Sequence, residues 1–278
     1  SSHISKKVSD RLRDMFKKDR PEFEKKWNDM NIIIEYGMLS DEKFYDRAKE
    51  FTLYKTVDEK FYTIEEYTEL IKNDQKDKDG KIIYLYTNDL NAQHMYVSRA
   101  QEKGYKILVL DSPIVSHVIQ KLESKLDSAS FVRVDSDTVD NLIKKDSKIE
   151  SILSDADQKK LKPLFEKALP SEGFVVNFEP LSSTSSPISI TQSEFMRRMK
   201  EMSLTGGGGM MGMGNMPDSY NLIVNSNHPF INNLTKLKGK KKSNLIQEAI
   251  DLALLAQNLL KGEKLTKYID NSFKNLGT

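Results

Sequence analysis

The chain has no cysteine, so disulfides, thiolate catalysis and Cys-ligated zinc are excluded and the fold must hold by packing. It has no excess of charge of either sign. Its 43 basic and 41 acidic residues leave a formal charge of +2, too little for a global field that draws nucleic acid or anionic lipid. No stretch approaches the roughly 18 apolar residues of a membrane span, and the opening SSHISKKVSDRLRDMF has no uninterrupted apolar core for export. A soluble, cytoplasmic protein without nucleic-acid or membrane partners is expected. The first residue is not Met and falls inside a helical pattern, so the chain reads as a piece of something longer. Its 278 residues suit two domains, or two with a connector.

What is present starts as helix. Ile4, Val8, Leu12 and Met15 recur at helical spacing, then Phe23, Trp27, Met30 and Ile34, with a break near Asp19 and Pro21 in the first turn of the second run. Gly37 is expected to close that helix and Ser40 to open a third. Residues 1–57 therefore read as a helical layer, with the single tryptophan, Trp27, as a core anchor.

Residues 58–145 read as a small α/β unit. Thr63 and Glu66 make a capping box, Asp79-Gly80 turns into IIYLY, a helix from Asn91 to Lys103 stops at Gly104, and KILVLD follows. Strand, helix and strand within about thirty residues make a βαβ crossover. Pro113 starts another helix, and FVRV is a third strand. Residues 146–278 read as a mixed α+β domain. A charged helical connector capped by Ser154, kinked or restarted at Pro163, leads to strands GFVVNFEP and SPISIT. A helix capped by Thr191, a strand YNLIVN, a short helix after His228-Pro229, and a closing pair of helices over about Asn244–Lys261 and Glu263–Leu276 follow.

Motifs that would carry chemistry are weak. The turn after IIYLY reads TNDLNAQ, without the glycine that brings backbone up to a pyrophosphate. Gln75, Asp77, Asp79 and Gly80 imitate the first half of a calcium loop, but Tyr86 stands where the bidentate carboxylate belongs. His3, His94, His117 and His228 stand in separate elements, and the basic run KLKGKKK reads as a solvated turn.

Two features say more. Most of the eleven methionines lie between Met196 and Met216, interrupted by a glycine run. Soft, unbranched side chains on such an element suit an adaptive binding surface, although Met196, Met199 and Met202 at helical spacing suit a core equally well. On the penultimate helix, Leu245, Ala249, Leu252, Ala256 and Leu259 follow a 4-3-4-3 seam, while Ile246, Ile250, Ala253, Leu254, Leu255 and Leu260 leave it apolar nearly all round. The last helix, with Leu265, Ile269, Phe273 and Leu276, covers one side. A second copy of the pair, in a dimeric four-helix bundle, is expected to cover another.

The stretches ISKKVSDRL, KKWNDMNIIIEYGMLSDEKFY, IIYLYTNDLNAQHMYVSRAQEKGYKILVLDSPI and EFMRRMKEM together resemble the bacterial heat-shock protein 90 chaperones. The likeness runs over essentially the whole chain, from the end of the large middle subdomain to the C-terminal dimerisation domain. It implies that ATP and Mg belong to an N-terminal domain outside these residues, so that the chain itself carries no catalytic, cofactor or metal site. It implies client contact by Met196, Met199, Met202, Met210, Met211 and Met213, and by His117 on the helix after KILVLDSP. It further implies a homodimer through Leu245, Ala249, Leu252, Leu255, Ala256, Leu259, Leu265, Ile269 and Phe273. Unfolded or partly folded proteins and cochaperones are the implied partners. The competing reading is a small-molecule or nucleotide-binding α/β enzyme with a helical oligomerisation tail.

Overall fold

A computed structural model describes residues 2–146, 149–170, 173–205 and 217–276. The chain forms two compact units, Ser1–Val134 with Arg198–Gly214, and Asp135–Arg197 with Asn215–Thr278.

The first unit opens with helices α1 (Ser2–Lys18), α2 (Arg20–Ser40) and α3 (Glu42–Ala48). The Asp19 carboxylate accepts from the Glu22 amide at 3.1 Å, and Pro21, which has no N–H to leave unpaired, fits the first turn of α2. Gly37 does not close α2, which runs on to Ser40. Its missing side chain serves packing instead, because the Phe44 ring occupies the space a Cβ would need. The cap of α3 is Asp41 rather than Ser40: its carboxylate accepts from the amides of Lys43 (2.9 Å) and Phe44 (3.2 Å), whereas the Ser40 hydroxyl turns back to the Tyr36 carbonyl. Phe23, Trp27, Ile34, Met38, Phe44 and Phe51 close the core of this layer.

The chain continues through β1 (Tyr54–Thr56), β2 (Phe61–Tyr62), α4 (Ile64–Ile71), β3 (Ile82–Thr87), α5 (His94–Glu102), β4 (Ile107–Val109), α6 (Val115–Lys125) and β5 (Ala129–Arg133). These five strands form one sheet in the order β2-β1-β4-β3-β5. β3 runs parallel to β4 and β5, as the crossover pattern requires, and lies buried between its neighbours. The β1–β2 hairpin is an antiparallel addition not anticipated from sequence, since three and two residues are too few to show alternation. The sheet thus begins at Tyr54, ahead of residue 58. The Thr63–Glu66 capping box is formed in full. Helix α5 begins at His94, three residues after the expected start, and ends before Gly104, whose φ of +80° suits glycine.

The second unit contains α7 (Asp155–Ala168), β6 (Phe174–Glu179), β7 (Ile188–Thr191), the start of α8 (Glu194–Thr205), β8 (Tyr220–Asn225), α9 (Pro229–Leu234), α10 (Gly239–Ala256) and α11 (Gly262–Leu276). The Ser154 hydroxyl caps α7, and the helix passes through Pro163 without restarting. It is no mere connector, because Leu161 and Phe165 are buried in the core of this unit. β6 and β7 do not pair with each other. β8 lies between them, parallel to β6 and antiparallel to β7. Thr191 pairs with Asn221 within β7 and is not a helix cap. The basic run is not a free turn, since Gly239–Lys242 opens α10. His228 caps α9, its Nδ1 accepting from the Phe230 amide at 3.0 Å.

Candidate functional site

The turn after β3 is where an α/β fold of this kind would hold a nucleotide. Here the Asn88 amide is directed at Gln93 Oε1 (3.3 Å), which also accepts from the Thr87 hydroxyl at 2.6 Å. Asp89 accepts from the amides of Asn91 (3.1 Å) and Ala92 (2.9 Å). A phosphate would meet a carboxylate and engaged amides, so this turn does not fit one. The calcium-like loop is also occupied by its own backbone. Asp77 accepts from the amides of Asp79 (2.9 Å) and Lys81 (2.8 Å), while buried Gln75 donates to the Ile83 carbonyl at 2.9 Å. Among the described residues no group of His, Asp and Glu is arranged to hold a metal ion.

The methionine helix gives a different picture. On α8, Phe195 is 67% exposed and Met196 is also exposed, whereas Met199 and Met202 are half-buried. Met210, Met211 and Met213 lie outside the described residues. From Arg198 onward the helix is anchored within the first unit. The Arg198 guanidinium pairs with Glu123 of α6 (2.8 and 3.2 Å) and donates to the Phe131 carbonyl of β5 (3.3 Å). Glu201 accepts from the hydroxyl of Ser116, the neighbour of half-buried His117 on α6. Two segments singled out separately from sequence, the end of α8 and the start of α6, are thus joined by side-chain contacts. Phe195 and Leu204, neither of them among the expected client contacts, are also large, apolar and exposed. The presence of Phe195 directly before the methionine series was the available signal.

The closing helices divide their apolar residues between two directions. Ile246, Ile250 and Leu254 are buried in the core of the second unit. Leu245, Ala249, Leu259 and Leu265 pack partly against that same core, and Ala256 is half-buried. Leu252 (50%), Leu255 (40%), Ile269 and Phe273 (68%) are exposed. No described residue of α11 is buried, although Leu265, Ile269, Phe273 and Leu276 form an apolar stripe at helical spacing. The groove between α10 and α11, about 620 Å3, is polar, with Gln247, Asp251, Lys264 and Lys267 along it.

Both units thus carry mixed sheets, and α8, α10 and α11 present large apolar side chains to solvent. The sequence profile described as "Hsp90 protein" matches residues 1–267. The chain belongs to the Hsp90 family of heat-shock chaperones. It is similar to the "Chaperone protein HtpG" of Porphyromonas gingivalis, 48% identical over 246 residues, which cover 87% of this chain and 36% of that protein. The protein of the same name from Bacteroides fragilis is 38% identical over 342 residues, covering 99% of this chain and 50% of the relative. A more distant one, from Bdellovibrio bacteriovorus, is 24% identical over 274 residues. The chain therefore spans between about a third and a half of the length of these relatives.

Proposed function

We propose that this chain is the part of an ATP-driven Hsp90-type chaperone that binds unfolded or partly folded clients and joins two copies into a dimer. The observation that carries the reading is the pair of exposed apolar surfaces in a member of this family. One runs along α8 through Phe195 and Met196, and the other along α10 and α11 through Leu252, Leu255, Ile269 and Phe273. Apolar area of this kind attracts protein rather than small polar substrates. The first surface, rich in flexible methionine, adapts to many partners. The second is a stripe that a two-fold axis would cover with its own copy. Met199, Met202 and His117 belong to the client surface in this reading, with Met210, Met211 and Met213 extending it. Leu245, Ala249, Ala256, Leu259 and Leu265 support the dimer stripe from its core side. ATP turnover is assigned to a part of the full-length chaperone that these residues do not span, and cochaperones are further partners of the whole protein. No helix among the described residues is long and apolar enough to cross a membrane.

Two measurements on the purified chain test the reading. Light scattering should give twice the mass of one chain, and the chain should suppress aggregation of a chemically denatured protein without added nucleotide. A monomer that leaves aggregation unchanged would remove both parts of the proposal.

A further inference from the structure

The strand at the edge of a sheet turns alternate N–H and C=O groups away from its neighbour. Among the described residues two sheets give four such edges, β2, β5, β6 and β7, and on three of them side chains cover outward groups. On β2 the Phe61 carbonyl accepts from the Arg20 guanidinium at 3.1 Å, and on β7 the Ile190 carbonyl accepts from the Gln257 side-chain amide at 2.9 Å. On β5 the Phe131 N–H donates to the Glu123 carboxylate at 2.8 Å, while its carbonyl accepts from Arg198 at 3.3 Å. The fourth edge, β6, differs. The Tyr220 amide donates to the Gly173 carbonyl (2.8 Å) and the Ser226 amide to the Glu179 carbonyl (2.9 Å), so the odd-numbered residues of β6 face β8. Phe174, Val176 and Phe178 therefore direct their N–H and C=O groups outward, and among the described residues nothing bonds to them. At six residues β6 is also the longest of the four edge strands, and FVVNFE has no lysine or proline of the kind that keeps a further strand away. Val175 is 51% exposed, and Phe174 and Phe178 are half-buried, so apolar surface flanks this open edge.

We propose that the outer edge of β6 takes up an extended segment of client polypeptide as a fourth strand of this sheet. Donors and acceptors at the spacing of Phe174, Val176 and Phe178 are matched together by another main chain, which offers both along one side at the same repeat. Apolar side chains of the segment lie against Val175 on one face of the sheet and against Phe174 and Phe178 on the other. The proposal rests on the client-binding reading and names what is recognised: the peptide backbone of an extended apolar segment, which unfolded chains of differing sequence have in common. A second copy of this chain fits the edge less well. Pairing of β6 with its own copy, in addition to the stripe on α10 and α11, would give each chain two self-complementary surfaces and an assembly that does not close. The covers on β2, β5 and β7 keep those edges from taking up strands in its place.

The test uses an acetylated, amidated peptide of alternating threonine and valine with a lysine at each end, and the same peptide N-methylated at successive central residues. Methylation removes donors from both sides of the strand and keeps every side chain. Amide hydrogen exchange of the chain is followed by NMR with and without each peptide. In the free chain the amides of Phe174, Val176 and Phe178 should exchange about tenfold or more faster than those of Val175 and Asn177, which face β8. The unmodified peptide should slow the three outward amides about tenfold, and the N-methylated one should leave them unchanged. Val175→Lys, at an exposed position where folding is not at issue, should remove that protection by guarding the edge with a charge. Slow exchange of the three amides in the free chain overturns the proposal, as does equal protection by the two peptides or protection retained in the Val175→Lys chain. Protection that appears without peptide as chain concentration rises, together with a mass above two copies, assigns the edge to a second copy and overturns it too. Aggregation suppression measured on the same samples separates the two levels: suppression without protection at β6 sinks the strand site and leaves the client reading standing, and loss of both sinks both.

Discussion

Gly37 lies so close to Phe44 that a Cβ on the glycine would stand 2.8 Å from the ring. Helix α2 thus carries a glycine in its last turn because the α3 ring needs that space. Gly37→Ala sets two effects against each other. Helix propensity gains about 1 kcal/mol, while overpacking a nearly closed core costs about 1–3 kcal/mol. Phe44 is buried and has little room to move, so a net loss of stability is expected. Trp27, the only tryptophan, is buried in the same cluster, and its emission during urea unfolding reports on this layer alone. A higher midpoint in the variant would show that the ring yields.

Glu35 gives a prediction with a defined pH dependence. Its folded pKa is raised above the ordinary 4.5, chiefly by burial and further by Asp111. The native state therefore takes up this proton at a higher pH than the unfolded chain does. The raised pKa lowers stability above the ordinary carboxyl range, and the penalty is relieved as pH falls through the raised value toward 4.5. Glu35→Gln should raise the Tm at neutral pH, and the gain should shrink to nothing below the ordinary carboxyl range. A gain of equal size at all pH values would place its origin in packing rather than ionisation.

Local chemistry made much of this fold legible in the sequence. The Thr63–Glu66 box, the Asp19-Pro21 entry into α2, the stop at Gly104 and the β3-α5-β4 crossover are each set by side chains within a few residues of the backbone they control. What depended on distant partners was not legible. Gly37 reads as a helix end until Phe44 is seen against it, and nothing local shows that β8 lies between β6 and β7. The candidate surfaces divide in the same way. Periodicity marks α10 as apolar nearly all round, but only packing separates Ile250, which faces its own core, from Leu255, which does not. Nothing local in the sequence distinguishes Glu35 from the other acids of α2, because its character comes from Ser112, Asp111 and the cavity they share.

The client surface on α8 should be separable from folding at its exposed residues. Phe195→Ser with Met196→Ser removes apolar area that the isolated chain leaves in solvent, so the melting curve should change little while aggregation suppression falls several-fold. Met199→Ser with Met202→Ser, at half-buried positions, should cost some stability as well. Unchanged suppression in the first variant would remove α8 from the client surface.

The dimer prediction turns on two residues of one helix. Ile250 is fully buried in the core of its own chain, whereas Leu255 is 40% exposed there. A carboxylate at position 250 has no water and no partner within the chain, so Ile250→Asp should unfold the second unit. A carboxylate at position 255 remains solvated in a single chain and costs little. In a two-fold bundle it would be desolvated twice, at a cost on the order of several kcal/mol per site. Leu255→Asp should therefore halve the mass seen by light scattering while the far-UV circular dichroism keeps its helical signal. Phe273→Asp, on the exposed stripe of α11, should do the same. A Leu255→Asp chain that keeps the mass of two copies would show that the dimer forms elsewhere, and a natural chain with the mass of one would show that this stripe does not join copies of itself.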